Sequence, residues 1–135
     1  MVDWLDRARV RLYGGLGVGA LGVGALAYVG LVDPHRPDSL YPPCPFRMLT
    51  GWYCPACGGL RMTHDLLHGH VAAAATDNIV ALIGLPLLLI WALWRIGSGR
   101  KVITPALLIV IAVIAVAWTV LRNLPGFPLV PTVFD

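Results

Sequence analysis

Cysteine is the residue type here whose spacing could do chemistry. All three cysteines of the 135-residue chain, and three of its four histidines, fall between Cys44 and His70. Cys54-Pro55-Ala56-Cys57-Gly58 sets two thiols three residues apart across a turn shaped by proline and glycine, so both sulfurs can meet one ion or each other. Three chemistries follow. Cys44, Cys54, Cys57 and a histidine (His64, or His68 one turn on) would make a tetrahedral zinc site. Cys54 and Cys57 could be a redox pair with Cys54 as attacking thiol, although the βαβ setting of thioredoxin-like motifs is missing. Two of the three cysteines could also form a structural disulfide. The odd cysteine suits zinc better than a purely oxidised framework. A structural role is therefore preferred to a catalytic one.

No other catalytic set is present. The glycines of the first apolar run have no P-loop lysine, His64 and His68 lack the Glu of an HExxH helix, and no nucleophile elbow occurs. No small-molecule substrate site can be read. Asp77 is the acidic residue inside an apolar run, and it is expected to cap its helix or snorkel to the interface.

The elements that must position the cysteines are written in hydropathy. The chain is 58% hydrophobic and 13% charged, with a mean hydropathy of +0.77. Too little polar surface is available to cover so much apolar surface in water, so the lipid bilayer is the expected solvent. The net charge of +3 is dispersed beside the apolar runs, which fits membrane topology and not nucleic acid. The fold class expected is an all-α integral membrane protein of one domain. Helix 1 runs over about 12–32, the cysteine loop with a short amphipathic interfacial helix over 33–70, helix 2 over 71–94, helix 3 over 102–121 and an extended tail over 122–135.

Helix 1 has the basic start of a signal peptide and an Ala25-Leu26-Ala27 site. Its apolar run is too long and continues past Ala27, so an uncleaved anchor is expected. Gly15 with Gly19, and Ala20 with Gly24, form small-xxx-small pairs that let helix backbones approach closely in lipid. Pro34 and Pro37 with their charged neighbours end this helix. In the interfacial helix Arg61, His64, Asp65 and His68 fall on one side, expected to be a solvated face, with Leu60, Met62, Leu66 and Leu67 opposite. Pro86 is expected to kink helix 2, and Thr104-Pro105 reads as N-cap and first residue of helix 3.

Arg7, Arg9, Arg11, Arg95, Arg100 and Lys101 lie on the N-terminal side, against Arg36, Arg47, Arg61 and Arg122 on the other. Basic residues near spans stay cytoplasmic, so the expected topology in the plasma (inner) membrane is N-terminus inside and cysteine loop outside. Trp91 and Trp94, and Tyr28 and Trp118, would form the two aromatic belts.

Cys44-Pro45, Thr50-Gly51, Cys54-Pro55-Ala56-Cys57-Gly58, Arg61, Gly69, Ala75 and Asn78 together resemble the domain of unknown function 2752 family, small bacterial membrane proteins with a CP–TG–CPxCGxxR pattern. The resemblance covers roughly residues 41 to 95. It departs at Gly59-Leu60 and at Ile79, where a proline commonly follows the asparagine. It implies a membrane protein and no activity. By size alone the chain is similar to accessory subunits of respiratory supercomplexes in GC-rich actinobacteria. The function expected is a small accessory or assembly subunit of a larger membrane complex, with an independent zinc-binding module or a thiol–disulfide oxidoreductase as alternatives.

Overall fold

The computed structural model describes residues 2–36 and 38–131, with side chains from residue 6 onward; Pro37 and the end of the tail, 132–135, lie outside the described residues. Five helices follow in order: α1 (Val2–Leu31), α2 (Pro45–Thr50), α3 (Gly59–Leu67), α4 (Val71–Gly97) and α5 (Pro105–Arg122). No strand occurs among the described residues. Asp6–Leu31, Val71–Gly97 and Pro105–Arg122 are long and apolar enough to cross a membrane. The chain is an all-α, three-span membrane protein with the cysteines in the loop between the first two spans.

α1 starts well before the charge-free run, because arginine is a good helix former and nothing ahead of Leu12 breaks a helix. Thr104 caps α5 as expected, its hydroxyl accepting from the Leu107 N–H at 3.3 Å with Pro105 in the first turn. The α4–α5 turn is closed by Arg95, which donates from Nε and Nη2 to the Lys101 carbonyl at 3.0 and 2.7 Å. Its guanidinium also lies 5.1 Å from the Trp91 ring, and that of Arg100 lies 5.8 Å from Trp94.

α4 holds the first departure from expectation. Its non-helical backbone is at Asn78 (φ −161°, ψ 82°) and not at Pro86. Asn78 Oδ1 accepts from the Ala81 N–H at 3.1 Å, three residues on, which is how an N-cap side chain starts a helix. Val71 to Asp77 is thus a short helix lying under the cysteine loop, and the span proper begins at Ile79.

α3 joins the molecule. It packs on α4 and on α1, and no comparable packing brings two of the spans together among the described residues. Within the chain, 6%, 0% and 11% of the three spans' apolar windows are buried. The C-terminal end of α1 is tied down by the His64 ring at the Val29 carbonyl (2.8 Å), by Tyr41 Oη donating to the Val32 carbonyl (3.2 Å), and by the Tyr28–Tyr41 ring contact.

The polar face of α3 is covered over Arg61, His64 and Asp65, and only His68 of the four stays exposed. Met62 and Asp65 are its buried residues and His64 is half-buried, whereas Leu60, Leu66 and Leu67 are exposed. The reason is the loop ahead of α2, whose His35 and Pro34 fold onto that face. Trp118 likewise belongs to no belt; it is buried against Phe127 and the Arg122 guanidinium.

Candidate metal centre

Cys44 immediately precedes α2, and the Cys54–Gly58 turn immediately precedes α3. The signature residues between them bring the two together. Thr50 Oγ1 donates to the Phe46 carbonyl at 2.7 Å and accepts from the Trp52 N–H at 3.1 Å. Gly51 ends α2 in the left-handed conformation (φ 73°), bonding back to the Arg47 carbonyl. Arg47 then lies 4.3 Å over the Tyr53 ring, and the chain returns towards Cys44.

The result is a cluster. Cys44 Sγ is 3.5 Å from Cys54 Sγ, Cys54 Sγ is 2.8 Å from Cys57 Sγ, and the Cys54 N–H donates to Cys57 Sγ at 3.1 Å. The ligand atoms of all three lie within 4.8 Å of one another. Thiolates on a tetrahedral zinc stand about 3.8 Å apart, since each Zn–S bond is about 2.3 Å. The Cys44–Cys54 spacing is already close to that, and the Cys54–Cys57 pair would open by about 1 Å to receive an ion. The three thiols are free.

His64 is not among them. Its Nδ1 faces the Val29 carbonyl and its Nε2 lies 3.9 Å from Asp33 Oδ1, so both ring nitrogens are turned towards the end of α1. His68 bonds back to the His64 carbonyl from an exposed position. Three protein sulfurs converge, and a cavity of about 610 Å³ opens beside them, lined also by Arg47, Met48 and Tyr53.

The thiols differ in acidity. Burial, reinforced by the neighbouring Cys54 thiol, pushes Cys57 up to about 12. Burial acts on Cys44 too. There the Arg47 and Phe46 N–H groups at the start of α2, with the other two thiols, outweigh it and hold Cys44 below the ordinary thiol value. Of these two thiols, Cys44 is the one whose surroundings favour the thiolate. The arrangement can hold a soft divalent ion, or a disulfide when oxidised.

What fixes the turn comes from far along the chain. Arg122 is 1% exposed and donates from Nη1 to the Cys54 and Cys57 carbonyls (3.0 and 2.9 Å) and from Nη2 to the Asp77 carbonyl (3.1 Å). Asn78 Nδ2 donates to the Pro55 and Cys57 carbonyls at 3.0 and 3.2 Å. Asn123 closes a reciprocal pair with Tyr53, accepting from its N–H and donating to its carbonyl, both at 2.9 Å. Sequence reasoning took Arg122-Asn123 only as the end of the third span. The available signal was a charged residue followed by an amide at the edge of an otherwise uncharged run.

The tail does not simply extend. It turns at Leu124–Gly126 and brings Pro131, buried, against Gly58.

Residues 44–92 match the model of a family described as "Protein of unknown function (DUF2752)". This is the family the cysteine signature resembles, and its model covers the cysteine loop, α3 and most of α4. No curated protein and no solved structure matches the chain.

Proposed function

We propose that this protein, whose residues 44–92 carry that family match, is a small accessory or assembly subunit of a larger membrane complex. In this reading Cys44, Cys54 and Cys57 hold a structural zinc ion. The observation that carries the subunit reading is the lack of packing between its spans. Gly15, Gly19 and Gly24 have no other part of the chain within 4 Å of where a side chain would begin, and Ala20 is exposed. In lipid such small-residue faces are where another helix packs closely.

The metal reading is supported by the odd number of thiols, by their convergence, and by the backbone clamp that holds the turn. With three sulfurs from this chain, the cavity beside them leaves the fourth ligand to solvent or to a partner. Free energy released on binding an ion at such a site adds to folding.

The test is the double variant Gly15→Leu/Gly19→Leu. Membrane insertion should persist while co-purification with a larger assembly in mild detergent is lost. A native protein that is monomeric in mild detergent, and that the double substitution leaves unchanged, would remove the support for a subunit.

The proposed orientation places the cysteine loop outside, on the six basic residues near the N-terminus and the α4–α5 turn. A membrane-impermeant maleimide applied to intact cells after reduction and chelation should label the cysteines. Labelling only after lysis reverses the orientation.

A further inference from the structure

On the other side of Asp77 from the cysteines lies a second convergence of ligand atoms. The Asp77 carbonyl points at Gly58 and is held by Arg122, while its side chain turns towards the loop between α1 and α2. There His35 Nε2 stands 3.5 Å from Asp65 Oδ2 and 3.6 Å from Asp77 Oδ2, and the three ligand atoms lie within 4.8 Å of one another. Asp65 is 6% and Asp77 2% exposed. Asp77 Oδ2 is buried and has no hydrogen-bond partner.

We propose that His35, Asp65 and Asp77 form a second metal site, distinct from the cysteines, for a divalent first-row transition cation bound through one imidazole nitrogen and two carboxylates. The spacing favours an ion over direct pairing. Separations of 3.5 and 3.6 Å are long for a charge-assisted hydrogen bond, which closes to about 2.7–2.9 Å. They are near the ligand–ligand distance around a tetrahedral ion, about 3.4 Å for bonds of about 2.1 Å. Asp65 and Asp77 face one imidazole, with the Arg61 charge also acting on Asp77; a divalent cation would give the buried, unpartnered Asp77 Oδ2 a ligand, and a buried polar group left unpaired is costly.

The ring is also prepared for the task. His35 Nδ1 faces Asp33 Oδ1 at 3.0 Å, and the same oxygen accepts the His35 N–H at 2.9 Å. A carboxylate on Nδ1 keeps the proton there and leaves the Nε2 lone pair free for a metal. Mixed imidazole and carboxylate donors suit manganese, iron or zinc, whereas the thiolates select softer ions. The two sites thus differ in the softness of their donors, and this inference stands whether or not the cysteines hold zinc.

The test uses the full chain in mild detergent, stripped with chelator, titrated with Mn²⁺ and read by electron paramagnetic resonance. One Mn²⁺ per chain should bind. His35→Gln should abolish it, and Asp33→Ala, at a half-exposed position where the fold is not at stake, should weaken it by about 10–100-fold. Zinc retained by the cysteines should be unaffected in both. Should Asp65 or Asp77 variants fail to fold, the wild type and these two loop variants still decide the matter. No Mn²⁺ above a detergent blank would mean that the trio shares only a proton, and would overturn the proposal. So would Mn²⁺ binding that both loop variants leave intact.

Discussion

Arg122→Leu should leave the spans able to insert but the cysteine loop unable to fold. Leucine roughly fills the space and removes every donor. The Cys54, Cys57 and Asp77 carbonyls that Arg122, itself 1% exposed, serves then lose its donors. Each buried carbonyl left unsatisfied costs about 1–3 kcal/mol. Asn78 still serves the Cys57 carbonyl, so the sum is on the order of 3–5 kcal/mol, a large part of the net stability of a small domain. Arg122→Lys should rescue little, because one ammonium cannot reproduce a planar fork that reaches three acceptors on two segments. The readouts are the amount of protein in the membrane, the thermal midpoint in detergent and the rate at which the three thiols are alkylated. An Arg122→Leu protein of normal yield, with thiols as slow to react as in the wild type, would show that the clamp is not what holds the turn.

Gly58→Ala should be nearly as damaging, for a different reason. Gly58 has φ 82°, and a Cβ there would lie 2.5 Å from the Asp77 carbonyl oxygen and 3.1 Å from its carbon. The left-handed conformation alone costs a residue with a side chain about 1–2 kcal/mol. The clash comes on top of that, and it is with backbone that Arg122 fixes from the other side, so α4 cannot yield cheaply. Gly69 provides the internal comparison, with φ 79° and nothing within 4 Å. Gly69→Ala should show the conformational cost only, while Gly58→Ala should lower the thermal midpoint at least twice as far. Equal shifts from the two substitutions would mean that the contact with Asp77 is not tight in solution.

These two sites also mark where reading the sequence ran out. The spans were legible because a chain that folds in water seldom carries a charge-free run long enough to cross a bilayer. The cysteine cluster was legible because CPxCG is a local turn. The partners of that turn were not. Arg122 and Asn123 reach it across 65 to 70 residues of chain, and hydropathy treats both as the polar end of a helix. Asp77 looked like a residue seeking the interface because its own helix is apolar; the structure buries it under a loop that local periodicity cannot place. The same loop makes the polar side of α3 an inward face, with His64 turned to α1 and away from the sulfurs. Pro86 looked like the point of distortion because proline removes a hydrogen bond, yet Asn78 breaks α4 because its side chain serves both the next turn and the cysteine loop.

The break at Asn78 has a consequence for how the molecule sits in its solvent. Counted from Ile79, the uncharged part of α4 runs to Trp94 and measures about 24 Å, and that of α5, Pro105 to Leu121, about 26 Å. The uncharged part of α1, from Leu12 to Leu31, measures about 30 Å. The first span matches a hydrocarbon core of about 30 Å, and the two shorter spans fit it with slight thinning and with their flanking residues at the interface. Had α4 been apolar and continuous from Val71, its excess length would have forced a tilt and drawn the loop into the acyl chains. A lipid-crossing part that ends at an asparagine would instead leave the sulfurs and the histidine–aspartate trio close to headgroup depth.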